Sequence, residues 1–360
     1  MTTSNTVAAA STLNIGSFDP NQFVSYMTTD RCFTIDLSRH SLIGVMEAYE
    51  EHTQKKHGST YTNSPVRIAV ENLQKYLNGQ VIMPINVTSE FYTFLISFLY
   101  SGKNGRVLKP STVELYLNQI RTALNFAAKH NCTVSETYQD FKIDNYEASQ
   151  IALTVEDIAV IDSFDIEMYK ERIKSLLGKG DGLHNIARFS FTLLQKVKDH
   201  FVLSCNLGQR ISDSKRIDPY MFDETGTIFK VTQQKTGGKA TVYLPKYSVT
   251  KKIALKILKK YGYKAPAYGI NTGNYNKYLH LLMHAIGGDF LEVVRSQNKI
   301  NGQIVTEEKQ KWQMISSHTA RRTFITNMER NGFSLSQIAK CSGHKDYRVI
   351  QRYIKTADDE

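Results

Sequence analysis

Apolar residues recur at helical spacing through most of the chain, and the period changes clearly in one place, after Pro219. That pattern restricts the fold to a mostly α architecture carrying a small β-hairpin or sheet. From Ser41, SLIGVMEAYEEHTQKKHG offers about four helical turns, ending near Gly58, and Asn63 to Leu77 offers a second helix closed by Asn78 and Gly79. Thr88 caps a third helix, with Phe91, Phe94, Leu95 and Phe98 on one apolar stripe. A fourth starts at Ser111, which with Glu114 makes a capping box ahead of Leu117, Ile120, Leu124 and Ala127. These helices form a first domain over residues 39–131. Residues 1–38, rich in Ser, Thr, Asn and Ala, read as a flexible leader or a minimal arm-type element.

Residues 132–152 have weak periodicity and read as an extended linker to a second domain, 153–360. Helices are expected over Thr154 to Phe164, near Met168 to Leu177 and over Asn185 to Ser204. The fragments TIFKVTQQ and KATVYLP then flank Gly237 and Gly238 as a hairpin. Ser248 to Lys260 and Asn274 to Ile286 return to helix. Gly287 to Met314 is either irregular or a small hairpin around Asn301 and Gly302. Three helices follow over Thr319 to Asn331, Leu335 to Lys340 and Asp346 to Ile354, with turns at Gly332 and Gly343.

Composition narrows the function classes. No apolar run approaches the roughly 20 residues of a membrane span. Cys32, Cys132, Cys205 and Cys341 are widely spaced with no CxxC pair, so neither a zinc site nor a disulfide scaffold is expected and a reducing compartment fits. The net charge of +11 is uneven: residues 1–180 hold 16 Lys and Arg against 19 Asp and Glu, residues 181–360 hold 29 against 15. Attraction for a polyanion is therefore concentrated in the second half.

Several polar residues there are candidates for chemistry. His318 and Arg321 lie three apart in SSHTARRTF, so a helix places both on one face, while Arg322 points elsewhere. A guanidinium matches two oxygens at once and an imidazole donates a hydrogen bond or a proton, a pairing suited to a phosphate. By itself HxxR is weak, because basic proteins carry it by chance. His344, left at a turn by Gly343, also reads as a cap, and Tyr353, nine residues on, as a surface aromatic. Arg210, in SCNLGQRISD, reads equally as a partner for Asp213. Lys235, at the tip of QQKTGG, is either solvated or phosphate-facing, with Lys239 on the returning strand as its rival.

As an ordered set, these residues resemble the tyrosine recombinase family, which includes phage integrases: an arginine after the first long helix of the catalytic domain, a hairpin lysine, HxxR, a later histidine and a tyrosine nucleophile. Arg210, Lys235, His318, Arg321, His344 and Tyr353 match in that order. HTARRTF, followed by the Gly343–His344 pair, is similar to integrases of Bacteroidetes phages and conjugative elements. Gln209 departs from the Gly-Leu-Arg common in relatives.

The resemblance implies a helical core-binding domain ahead of a tyrosine recombinase catalytic domain. It implies a site-specific recombinase, an integrase that cleaves and rejoins DNA through a 3′-phosphotyrosine without metal or other cofactor. Arg210 and Arg321 would clamp the phosphate, His318 and His344 donate hydrogen bonds, Lys235 protonate the 5′ oxygen and Asp213 support the network. DNA contacts are expected from Lys103, Arg106, Lys109 and Arg121 in the first domain and Lys239 and Arg322 in the second. Implied partners are double-stranded attachment sites, a homo-tetramer induced by DNA, and DNA-bending accessory proteins. The expected location is the cytoplasm, DNA-associated, in a bacterial or phage-infected cell. Two alternatives share the basic surface: a type IB topoisomerase or telomere resolvase, and a catalytically inactive DNA-binding accessory protein.

Overall fold

The computed structural model describes residues 37, 39–57, 64–102, 108–140, 150–178, 186, 189–266, 268–300 and 303–355. The chain divides into two compact units, Met1–Asp144 and Asn145–Glu360. The leader expected over 1–38 lies outside the described residues except for Leu37, which is fully buried.

In the first unit, α1 (Leu42–His57), α2 (Pro65–Leu77) and α4 (Pro110–Ala128) pack against one another, with α3 (Ser89–Tyr100) against α2 and α4. Leu73, Leu95, Leu117, Ile120 and Leu124 are at most 1% exposed and form its apolar centre. Helix starts follow local chemistry. Ser64 Oγ accepts from Arg67 N at 3.1 Å, and Pro65 takes the first helical position, where its missing N–H costs nothing. Thr88 caps α3 as expected, accepting from Phe91 N.

Three expectations are corrected here. The helix α4 starts at Pro110 rather than at Ser111, because the fixed proline φ already suits the first turn; Lys109 is the flanking residue and makes no side-chain cap. Phe94 is 65% exposed, since Phe91, Tyr92, Leu95 and Leu99 already fill the inward arc of α3. The linker is shorter than 132–152. Cys132, Ser135 and Tyr138 are buried in the first unit, where Tyr138 Oη donates to Asn125 Oδ1 at 2.8 Å, and Ile151 and Leu153 belong to the core of the second.

The second unit is built around α7 (Phe191–Leu207), which packs against α5 (Val155–Ser163), α10 (Lys251–Lys260), α11 (Thr272–Ile286) and α13 (Ser317–Arg330). Every residue from Val197 to Leu207 is buried, the mark of a helix covered all round. Ser190 caps α7, so it begins later than Asn185 and ends one turn beyond Ser204. The short helices α6 (Lys170–Leu176), α8 (Ile211–Ser214), α9 (Leu244–Tyr247) and α12 (Lys311–Met314) connect the larger ones, while α14 (Leu335–Ser342) and α15 (Tyr347–Lys355) pack beside α13.

Strands β1 (Ile228–Thr232) and β2 (Lys239–Tyr243) pair antiparallel from Ile228↔Tyr243 to Thr232↔Lys239, burying Phe229, Val231, Ala240 and Val242. A second antiparallel pair, β3 (Val293–Ile300) and β4 (Gln303–Gln310), resolves the 287–314 alternatives in favour of a hairpin. Among the described residues the fold is therefore mostly α with two small two-stranded sheets.

Candidate active site

Three turns and two helices bring the site together. Gly208 ends α7 in the left-handed region (φ 65°), and a Cβ there would lie 2.2 Å from the Phe324 ring, so glycine lets α13 approach closely. Arg210 follows two residues later, at the start of α8. Gly343 ends α14 in the same conformation (φ 70°); a Cβ there would meet Gln233 Nε2 at 2.5 Å. His344 comes next. Lys235 sits in the β1–β2 turn, which Gln233 N closes by donating to Gly238 O at 2.8 Å. His318 and Arg321 lie one helical turn apart on α13, and Tyr353 reaches them from α15.

Tyr353 and His318 are in direct contact: Tyr353 Oη lies 2.8 Å from His318 Nε2. Arg321 is 1% exposed, donates from Nη1 to Gly208 O at 3.1 Å and from Nη2 to His344 Nε2 at 2.8 Å. The hydrogen bonds settle the tautomer of His344. Ser342 Oγ donates to Ile338 O at 2.6 Å, so at its 2.8 Å contact with His344 Nδ1 the hydroxyl accepts; Nδ1 carries the proton and Nε2 is free to accept from Arg321. The same Nη2 is 3.2 Å from Nδ1, an approach that this proton arrangement makes a mere neighbour contact.

Arg210 donates from Nη1 to Gln233 Oε1 at 2.6 Å. Gln233 Nε2 donates to Ser342 O at 2.7 Å and to Gln209 Oε1 at 3.2 Å, while Gln209 Nε2 donates to Leu207 O at 2.7 Å and Cys341 O at 2.9 Å. Both glutamines are 1% exposed. They tie the Arg210 segment, the Lys235 turn and the His344 turn into one polar unit. Asp213, wholly buried, accepts from Gln234 N and Arg216 Nη2 at 2.9 Å each and so anchors the base of the same turn. Among the described residues it makes no hydrogen bond to His318 or Arg321, although its charge favours the Arg321 cation.

The field here is positive and holds both histidines neutral. Burial, then Arg321, Arg210 and His318, push His344 down to about 3. Desolvation, then Arg322, Arg321, Arg210 and Lys235, push His318 down to about 4; because its side chain remains exposed, the four cations are the firmer cause. Burial and the neighbouring Arg210 lower Arg321 to about 10, so it stays charged at neutral pH. A neutral His318 beside a phenol hydroxyl can accept its proton, and two arginines within the same cluster can hold an anionic phosphate.

The six candidates thus come together, with Lys235 exposed in its turn and near enough for its charge to act on His318. The expected DNA contacts divide. Lys103 and Arg106 lie outside the described residues. Lys109 is exposed beside the first turn of α4 and Lys239 is exposed at the start of β2. Arg121 is half-buried, and its charge draws down the Tyr92 phenol against a burial that pushes it up to about 12. Arg322 is 7% exposed and lies over the Tyr353 ring, with its Cζ 5.5 Å from the centroid. Gln209, Gln233 and Ser342 were not expected from sequence. The local signals were the glutamine replacing leucine before Arg210 and a glutamine two residues before Lys235.

Taken together, a tyrosine hydroxyl, two arginines, two neutral histidines and a turn lysine on a helical unit define a phosphoryl-transfer site of tyrosine recombinase type. A family model described as the phage integrase family matches residues 194–360, and one described as a phage integrase SAM-like domain matches residues 41–143. The chain belongs to the phage integrase family of tyrosine recombinases and is a site-specific recombinase. No protein of curated function matches it. Among solved structures it is similar to a lambda integrase fragment crystallised as a dimer on a COC′ core site, at 13% identity, 87% coverage of this chain, 96% of that chain and TM-score 0.54. It is also similar to a lambda integrase tetramer on a Holliday junction (14% identity, 85% and 78% coverage, TM-score 0.52) and to the Tn1549 transposon integrase with a circular-intermediate DNA (15%, 86% and 94%, 0.52). At these identities the likeness is one of fold. Among the described residues no helix is long and apolar enough to cross a membrane.

Proposed function

We propose that this recombinase cleaves double-stranded attachment sites by attack of Tyr353 Oη on a backbone phosphate. The observation that carries the reading is the 2.8 Å contact between Tyr353 Oη and His318 Nε2, with buried Arg321 one helical turn from His318 on α13. As the Oη–P bond forms, the phenol proton passes to neutral His318 Nε2; as the P–O5′ bond breaks, the Lys235 ammonium protonates the departing 5′ oxygen. Arg210 and Arg321 hold the nonbridging oxygens as their charge grows, with His344 orienting Arg321. The product is a 3′-phosphotyrosine, and attack by another strand's 5′ hydroxyl runs the same transfers in reverse. The phosphodiester bond energy is kept in that link, so neither a nucleotide nor a metal is needed to reseal.

Strand exchange between two duplexes calls for four such tyrosines, and lambda integrase has been seen as a tetramer on a Holliday junction. We extend to this chain a tetramer formed on DNA, with DNA-bending accessory proteins as further partners and the cytoplasm of a bacterial or phage-infected cell as the setting. A topoisomerase or telomere resolvase would use the same chemistry without exchanging two sites, and product topology distinguishes it. An inactive accessory protein would have no use for the hydroxyl contact at Tyr353.

The test is covalent capture of DNA from a random-sequence duplex library, followed by mapping of the adduct. Adduct at Tyr353, lost in Tyr353→Phe while DNA affinity persists, supports the reading. Absence of any adduct, or one at another residue, overturns it.

A further inference from the structure

We propose that Arg322 is a positioning residue for the nucleophile, clamping the Tyr353 ring to the segment that enters the second unit. The inference rests on Tyr353 being the nucleophile. Arg322 follows Arg321 on α13, and one residue of helix turns its side chain about 100° away from the phosphate-facing arginine. There it meets the Tyr353 ring. Its guanidinium carbon is 5.5 Å from the ring centroid, Nη1 donates to Ile151 O at 3.3 Å and Nη2 donates to Gln150 Oε1. His318 holds the hydroxyl of the same tyrosine, and Thr326 Oγ1 donates to its backbone carbonyl at 3.4 Å. The phenol is therefore fixed at its oxygen, its ring and its main chain.

Two features distinguish this arrangement from ordinary packing. A buried guanidinium is a costly way to fill space, and a hydrocarbon of similar volume would do so more cheaply unless the charge has a use. Arg322 accepts that cost: it is 7% exposed, and its Nε has no partner among the described residues. Its cation is also directed at the one aromatic ring in the site on which negative charge develops during attack. Burial draws Arg322 down to about 10 while Tyr353 opposes that shift, so the pair attract and the guanidinium stays charged at neutral pH. Arg322 itself gives up no proton; the phenol proton still goes to His318. What it supplies is ring orientation and a positive field, both set by Gln150 and Ile151.

The experiment uses the full chain and the duplex obtained by covalent capture, with single-turnover cleavage and DNA affinity measured separately. Arg322→Met should cleave about 10-fold more slowly with affinity unchanged, the scale expected for loss of a desolvated cation–π contact. Arg322→Lys should recover part of the rate. A bridging 5′-phosphorothiolate, which removes the need for an acid, should leave Arg322→Met slow, because the fault is in the nucleophile. Wild-type cleavage by Arg322→Met, or a fall in affinity that accounts for the rate, would overturn the inference. Should Arg322→Met not fold, Gln150→Ala, a change at an exposed side chain, carries the test: a loss of about 2-fold or more supports the clamp and an unchanged rate overturns it. An adduct that maps away from Tyr353 in the wild type overturns the nucleophile assignment instead, and the two failures are told apart by that map.

Discussion

The first unit buries mainly hydrocarbon, while the second buries a connected set of polar groups. Among the described residues the buried polar side chains of the first unit are Glu50 and Ser135; the second adds Lys198, Asp199, His200, Gln209, Asp213, Gln233, Arg321, Arg322 and others. Apolar packing needs only volume and patterning, but each buried polar atom needs a partner at a set distance and angle. Glu50 serves a helix junction, accepting from Ser64 Oγ at the start of α2. Most of the polar groups in the second unit instead join segments far apart in sequence, and those around Gln233 tie the Arg210 segment to the His344 turn. The contrast teaches that the first unit is a scaffold that tolerates repacking, whereas the second spends stability on a preorganised charge pattern.

The largest expected effect tests whether the exposed end of that pattern takes part in chemistry. Lys235 is exposed and the Gln233–Gly238 turn places it, so Lys235→Ala should leave the fold intact and slow cleavage by about 10²–10⁴-fold, the range for loss of a general acid. A bridging 5′-phosphorothiolate should restore most of the rate, since sulfur leaves without a proton. Rescue confined to Lys239→Ala would move the acid to β2, where Lys239 pairs with Thr232 at the end of the ladder next to the turn.

A smaller effect sharpens the contrast through pH. His200 and His344 are held down to about 3, with burial as the first cause, and exposed His318 to about 4 by desolvation and the four cations around it, so in the native state they bind fewer protons than in the unfolded chain. Stability of the second unit should therefore fall as pH drops from the ordinary histidine value of 6.5 toward about 3. In the first unit Glu47 is shifted the other way, raised by burial and then by Glu50, and so favours the folded state as pH falls through its range. Hydrogen exchange between pH 7 and 4 should show α7 and α13 losing protection before α2 and α4. Loss in the reverse order would show that these three histidines do not govern acid stability.

How much of this was legible in the sequence follows the same division. Helices with a clean apolar stripe were readable, as were the hairpin around Gly237 and the HxxR face of α13, because each depends on neighbours a few residues apart. Ser111 was misread because Pro110 sets the start of α4 by φ alone, without a capping bond. Residues 132–140 seemed to be linker because a short 3₁₀ turn held mainly by Tyr138 leaves no period to detect. The contacts of Arg322 are not legible, since helical spacing shows only that it leaves the Arg321 face, and what it meets there, Gln150 and Tyr353, comes from both ends of the unit. Gln233 was invisible for the same reason: its partners Gln209, Arg210 and Ser342 are 24, 23 and 109 residues away.

The smallest expected effect probes the residue that departs from the common Gly-Leu-Arg pattern. In Gln209→Leu the volume is nearly kept, but the amide that spans the ends of α7 and α14 is lost. Leu207 O and Cys341 O would each lose a donor, and Gln233 Nε2 would keep Ser342 O alone. Leaving such groups buried costs about 1–3 kcal/mol, offset in part by the apolar gain of leucine, so denaturant unfolding should show a loss near the lower end of that range. Cleavage should slow by only about 3-fold, because Gln233 still holds Arg210 and the His344 turn through Ser342. In Gln233→Leu both those ties go, and the rate should fall further than in Gln209→Leu. A double-mutant cycle then isolates the 3.2 Å glutamine pair: a coupling above about 0.5 kcal/mol would show that the two act as one element. Additive losses, or a Gln209→Leu protein more stable than wild type, would mean that the second unit tolerates hydrocarbon here as readily as the first, and the contrast between the two units would not extend to this pair.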